Sequence, residues 1–401
     1  MTDPIIFHID VNSAFLSWTA LDRLKAGDSV DLREIPSIIG GDTTTRHGVV
    51  LAKSIPAKAY GIRTGEPVVN ALRKCPNLVL ASPNHARYKE YSHALMEHLS
   101  QICPDIEQVS IDECFMDYTP ISTNYASPLA AATWIKDSVY EKFAFTVNVG
   151  ISDRKVLSKM ASDFKKPNLV HTLYVSEISE KLWPLPVADL FLCGHSSVET
   201  LRKLGILTIG ELAQADPAIL EAHLKSHGLL LWNYANGIDS SVVETKRAKA
   251  KGVGNSTTLS MDATTAPEAH RILRELSESV GARMRKAHTV GYSVCTEIKY
   301  SDFTSVSHQT LLDSPTSSDS VIAESACALF DELWNGNPVR LLGVRVTKLT
   351  EEDTPVQLSL FDYQAPKSEK QQKLDAALDN IRSRYGKDAI KRGSQLHSPK
   401  S

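Results

Sequence analysis

The chain has 401 residues, 42% of them hydrophobic, and its 44 Lys and Arg nearly balance its 47 Asp and Glu, for a formal net charge of −3. That length exceeds one ordinary core and predicts two to four domains, in a composition typical of a folded soluble protein. The near-neutral total names no partner, because a basic face can hide inside a balanced sum. Six cysteines (Cys75, Cys103, Cys114, Cys193, Cys295, Cys327) form no C-x-x-C pair and no regular spacing, which argues against a zinc module or disulfide framework and fits a reducing cytosol. The opening "MTDPIIFHIDVNSAF" lacks a basic secretory region, and nowhere do 18 apolar residues run together. The expectation is a soluble, unexported, cytoplasmic chain.

Residues 4–11, "PIIFHIDV", predict a buried first strand ending near Asp10, with "SAFLSWTALDRL" helical directly after it. From Ile35 to Pro67 the text is rich in Gly and Thr around a short strand, "HGVVLAK", which predicts a small compact insert. Residues 84–103 carry Tyr88, Tyr91, Leu95, Leu99 and Ile102 at helical spacing. A strand pair around "QVSIDECFMDYT" (108–119), a helix near 128–142 and the strand "FTVNVGIS" (145–152) follow. Strand, helix, strand, strand, helix, strand is the order of a split-βαβ, ferredoxin-like sheet.

Beyond "KKPN" (165–168) the composition turns to Leu-rich helices with short turns. "VETLRKLGILTIGELAQADPAIL" holds a helix, a break at Leu204-Gly205-Ile206, and a new helix whose Thr208 and Glu211 form a capping box. Asp216-Pro217 predicts another helix start. "KRAKAK" (246–251) is an exposed basic linker, after which "EIKYSDFTSVSHQTLL" (297–312) and "VRLLGVRVTKL" (339–349) alternate like amphipathic strands of a second α+β domain, 252–349. In the tail, Leu374, Leu378, Ile381 and Tyr385 recur at helical spacing after "QLSLF".

Asp112 and Glu113 stand among Val109, Ile111, Phe115 and Met116, where burying charge is costly. Neighbours in a regular strand face opposite ways, so two adjacent acids share a ligand only near a strand end or a tight turn. With Asp10, three carboxylates come to the ends of neighbouring strands. Mg²⁺ wants oxygen ligands and usually takes one or two carboxylates beside water and phosphate, so three acids could serve two ions in phosphoryl or nucleotidyl transfer. A solvated hairpin turn is the competing explanation, and spacing alone leaves the two about even.

"FHIDVNSAF" and "SIDECF" resemble the two metal-binding motifs of the Y-family, DinB/UmuC-like translesion DNA polymerases. So do "GVVLAKSIPAKAYGIRTGEP" (48–67), "CPNLVL" (75–80), "VGISDRKVLSKMASDFKKPN" (149–168), the Leu-Gly-Ile turn and "GVGNSTT" (252–258), all in the family's order. The resemblance implies an α+β, right-hand polymerase. Its ferredoxin-like palm would be 1–13 and 82–173, with fingers at 14–81, a helix-hairpin-helix thumb at 174–241, a basic linker at 242–251, a little finger at 252–349 and a clamp-binding tail at 350–401.

By the same resemblance, Asp10, Asp112 and Glu113 are catalytic and, with the carbonyl of Val11, bind two Mg²⁺ ions. Ser13, Ala14, Phe15, Lys58 and Lys166 would line the nucleotide site, Phe15 as a steric gate against a ribose 2′-OH. Three positions depart from the family pattern: Asn12 replaces a common Asp, Ile55 a Tyr, and Lys58 an Arg whose bidentate fork a lysine lacks. Lys53 is a candidate substitute for that lost grip. "GHSS" in the 194–212 hairpin replaces the more usual Gly-x-Gly, and Arg283, Arg285 and Lys286 are candidate phosphate contacts. Gln357, Leu358, Leu360 and Phe361 of "QLSLF" resemble a clamp-binding peptide.

The implied activity is template-directed, low-fidelity DNA synthesis without proofreading, in DNA damage tolerance and repair. Its partners would be primer-template DNA, deoxynucleoside triphosphates and a sliding clamp, with no membrane, and the chain would be a monomer. A non-catalytic DNA-binding accessory protein of the same fold and a nucleotidyl cyclase are the rivals.

Overall fold

A computed structural model describes residues 4–41, 48–246, 249–352, 369–386 and 389–390. The chain divides into two compact units that part at the 247/248 junction, inside the basic segment.

The first unit starts with β1 (Ile6–Val11), which leads into α1 (Ala14–Lys25). The turn is made by Ser13 at φ +48°, a left-handed conformation a side chain tolerates only when its surroundings enforce it. The insert holds β2 (Ser37–Gly40), β3 (Val50–Lys53), α2 (Ile55–Ala59), α3 (Val68–Lys74) and β4 (Val79–Ala81), its strands forming a separate three-stranded sheet. Then come α4 (His85–Ile102), β5 (Ile106–Gln108), β6 (Glu113–Asp117), α5 (Pro128–Phe143), β7 (Val147–Ser152), α6 (Lys155–Asp163) and β8 (Val170–Thr172). The main sheet runs β5-β6-β1-β7-β8, the ferredoxin-like order extended by β8, an edge strand absent from the sequence reading.

Tyr88, Tyr91, Leu95 and Leu99 of α4 are buried with Trp18, Phe7 and Phe145 in one core. Each of the large side chains contributes roughly 2–3 kcal/mol by leaving water. That core fixes the sheet from one side. On it the central strand β1 is antiparallel to both β6 and β7. α6 lies directly against the sheet because β7 has Gly150 there: a Cβ on Gly150 would fall 2.0 Å from the Ser158 carbonyl oxygen.

Residues 178–235 hold five α-helices, α7 (Ile178–Lys181), α8 (His195–Lys203), α9 (Ile209–Gln214), α10 (Pro217–Leu224) and α11 (Ser226–Ala235), with a short 3-10 turn at Val187–Asp189. Gly205, at φ +78°, turns the chain between α8 and α9. Both bonds of the Thr208/Glu211 capping box are formed.

The second unit is β9 (Gly252–Ala263), α12 (Ala266–Lys286), β10 (Thr289–Tyr300), β11 (Ser305–Thr316), α13 (Asp319–Leu333), β12 (Val339–Glu351) and α14 (Glu369–Tyr385). Its sheet runs β11-β10-β12-β9. The single strand expected at 297–312 is two strands, because Asp302 Oδ1 accepts from the Thr304 N–H (2.9 Å) and hydroxyl (2.6 Å) and closes a turn between them. Arg285 is also corrected. Its guanidinium is engaged by Asp319 (2.8 Å), Asp379 (2.7 and 3.0 Å) and the Ser317 carbonyl (2.7 Å), so it holds α14 onto α12 and α13 rather than facing a phosphate. Among the described residues no helix is long and apolar enough to cross a membrane.

Candidate active site

β1 and β6 pair so that Asp10 lies opposite Glu113, and one step further the Val11 N–H donates to the Asp112 carbonyl (3.0 Å). Asp112 occupies the bend between β5 and β6, and Glu113 is the first residue of β6. Asp10 and Glu113 thus meet side by side at the strand ends, with Asp112 in the adjoining bend. The ligand atoms of Asp10, Glu113 and His8 lie within 4.8 Å of one another. Asp112 stands beside that group with its carboxylate on the Ser110 hydroxyl (2.7 Å).

Two ammonium groups offset the negative charge. Lys159 of α6 reaches Glu113 Oε2 at 2.8 Å, Asp163 Oδ2 at 3.3 Å and Asp10 Oδ2 at 3.5 Å. Lys166 reaches Asp163 Oδ1 at 2.8 Å and Asp10 Oδ1 at 2.9 Å. His8 is fully buried, its Nδ1 on the Ser162 hydroxyl (2.8 Å) and its Nε2 facing Glu113 Oε2 at 3.4 Å. That last separation is longer than a good hydrogen bond, and Nε2 has no other partner among the described residues. Burial holds the His8 imidazole below its ordinary value, hence neutral.

The carboxylates respond differently. His8, then Lys159, hold Glu113 down to about 2 against the opposing effect of its burial. Burial pushes Asp112 up, and the charges of Asp10 and Glu113 add to it while the Ser110 hydrogen bond opposes. An acid made costly to ionise by burial, and further by neighbouring carboxylates, is one that a divalent cation would stabilise. The donor set fits such an ion: the carboxylate oxygens of Asp10 and Glu113 gathered at one sheet end.

The other expected residues fall as follows. Val11 is buried at the end of β1, Ser13 makes the turn into α1, and Ala14 and Phe15 open that helix. The Phe15 ring stacks on Tyr88 (centroids 4.5 Å apart, 13° between planes) with His85 against it edge-on, so its position is fixed from behind. Lys58 lies exposed on α2, whose first residue Ile55 is 61% exposed. Burial, then Lys58, lower Lys53 from its ordinary value, Glu66 opposing and Arg63 and Lys74 adding. Asn12 faces away from the acids: its Oδ1 accepts from the Asn168 N–H (2.9 Å) and its amide donates to Asn148 (3.1 Å), which steadies the Lys166 loop. Gln357, Leu358, Leu360 and Phe361 lie outside the described residues.

His8 and Lys159 were missed by sequence reasoning. His8 shares the face of Asp10, two residues along the strand, and Lys159 shares the helical face of Asp163, four residues on.

Residues 9–163 match the model of the impB/mucB/samB family, and residues 250–360 that of the family's C-terminal domain. A Clostridium acetobutylicum protein named DNA polymerase IV is 47% identical over 392 residues, covering 98% of each chain. A Bacillus subtilis protein named DNA polymerase IV 1 is 36% identical, covering 99% of this chain and 94% of its own. Among solved structures, a Y-family DNA polymerase chimera superposes with a TM-score of 0.75 at 21% identity, over 86% of this chain and 98% of its own, which speaks for the α+β right-hand fold. With similarity running from end to end, the chain belongs to the impB/mucB/samB family, as a Y-family polymerase of the DinB type.

Proposed function

We infer that this chain, a low-fidelity translesion DNA polymerase acting on primer-template DNA and deoxynucleoside triphosphates, makes its phosphodiester bond at the Asp10, Asp112 and Glu113 end of the palm sheet. The observation that carries the assignment is the register that sets Asp10 opposite Glu113 with Asp112 in the adjoining bend. The family uses divalent metal. In our reading these carboxylates and the Val11 carbonyl would hold two Mg²⁺ ions, which when bound would supply Lewis-acid activation of the primer 3′-OH and charge neutralisation at the triphosphate.

The chain's own groups do the rest. Lys166, Lys58 and Lys53 bind triphosphate oxygens, as point cations rather than bidentate forks. Phe15, braced by Tyr88, fills the volume of a ribose 2′-OH, and Ser13 and Ala14 shape the pocket beside it. The small side chains of Ser13, Ala14 and Ala52 leave room over the templating base, which suits lesion tolerance. The α8–α9 hairpin offers backbone amides to DNA phosphates. Palm, fingers, thumb, little finger and tail take the boundaries given above, and Gln357, Leu358, Leu360 and Phe361 dock the sliding clamp.

Primer extension tests this. Asp112→Ala should lower the rate by at least about 10³-fold while leaving DNA binding within a few fold. Extension persisting at the wild-type rate would sink the assignment. The non-catalytic accessory reading is not favoured, since the relatives similar over the whole chain bear polymerase names.

A further inference from the structure

Lys159 of α6 has no part in the chemistry assigned above, yet it sits against the metal-site carboxylates. Lys159 is only 13% exposed, and its ammonium touches the same Glu113 oxygen that faces His8. We propose that Lys159 is a built-in counterion that competes with a divalent cation for Asp10 and Glu113, and that Asp163 is the seat to which its ammonium withdraws. This rests on reading that carboxylate pair as the metal site.

Three observations carry it. The Lys159 Nζ already lies between the two sites, 2.8 Å from Glu113 Oε2 and 3.3 Å from Asp163 Oδ2. Asp163 follows Lys159 by one helical turn on α6, so transfer needs only rotation about the flexible end of the lysine side chain, with no movement of the helix. Lastly, Asp163 is shared. Its other oxygen holds Lys166, which also touches Asp10. When a triphosphate draws Lys166 away, Asp163 becomes free to take Lys159 entirely, and Asp10 loses both ammonium groups together.

An ammonium and a dication sharing one carboxylate oxygen in a half-buried site repel strongly. The lysine therefore sets how readily the carboxylates accept metal before nucleotide arrives. Lys159 acts through Asp10 and Glu113 and is a positioning residue rather than a catalytic one.

The test uses the full-length protein and Mn²⁺ alone, with free Mn²⁺ followed by electron paramagnetic resonance in the absence of DNA and nucleotide. Lys159→Met should bind Mn²⁺ about tenfold more tightly than wild type, Lys159→Arg within about twofold, and Asp163→Asn several-fold more weakly because the lysine is left on the metal carboxylates. Melting curves of each variant establish that it is folded. Mn²⁺ affinity that is equal or weaker in a folded Lys159→Met, including none detectable in either protein, overturns the proposal. Asp10→Asn separates the two ideas. If it abolishes Mn²⁺ binding while Lys159→Met changes nothing, the counterion role falls and the metal site stands; if Mn²⁺ binding survives Asp10→Asn unchanged, the metal-site reading falls and takes the counterion role with it.

Discussion

Phe15 shows how much a residue's role depends on what stands behind it. A phenylalanine on a helix next to a strand end is ordinarily core, and here the ring is only partly buried, with Tyr88 stacked on one face. The Tyr88 hydroxyl is in turn 2.6 Å from the Thr19 hydroxyl, so the stack cannot slide freely. A wall held this way excludes an extra oxygen by contact rather than by an unmade hydrogen bond. Phe15→Ala should therefore raise ribonucleotide incorporation relative to deoxynucleotide by about 100-fold, with little loss of deoxynucleotide turnover. Single-nucleotide incorporation with paired ATP and dATP measures it, and unchanged discrimination would remove Phe15 from that role. At this scale the acids were legible, since two carboxylates in an apolar strand demand an explanation. His8 and Lys159 were not, because a lone histidine in a buried strand and a lysine on an amphipathic helix have unremarkable alternatives.

Among the elements, α6 depends on one absent methyl group. Gly150 faces the Ser158 carbonyl and the Ser162 N–H so closely that an added Cβ would sit 2.0 and 2.5 Å from them, both backbone atoms of α6. Gly150→Ala must lift the helix that carries Lys159, and the expected cost is about 3 kcal/mol or more. Urea unfolding checks this, and a loss under about 1 kcal/mol would mean that the helix repacks easily. The last helix teaches a different lesson. Leu374, Leu378, Ile381 and Tyr385 predict an apolar face for α14, yet only Leu378 is well buried and Tyr385 is 74% exposed. The buried face is Asp375, Leu378, Asp379 and Arg382, tied to Arg285 and, through Arg382, to Glu278 at 2.8 Å. Arg285→Ala removes the guanidinium that joins Asp379 of α14 to Asp319 of α13, and should cost about 3–5 kcal/mol and raise amide exchange throughout α14. Exchange unchanged in α14 would show that the ion pairs do not hold it. Capping signals fared better than apolar stripes: Thr208 with Glu211, and Asp216 before Pro217, mark helix starts as read, because a cap is satisfied within a few residues.

For the whole molecule, the boundary between units falls in the segment whose basic composition marked it as a linker. Lys246, Lys249 and Lys251 are exposed there, and each unit has its own buried core. Brief trypsin treatment should therefore cut first within 246–251 and leave two protected fragments, read by mass spectrometry; first cleavage elsewhere would argue against a linker there. The sequence by itself marked the strand-helix order of the first sheet from β1 to β7, the basic segment between the units and the three acids as candidates, since periodicity, caps and charge within apolar runs are local properties of the chain. Only the tertiary structure decided which cations meet those acids, which face of α14 is buried, and where Arg285 is spent. Those depend on residues far apart in the chain, brought together by strand register and by α6 seated on Gly150, and no local pattern encodes such distances.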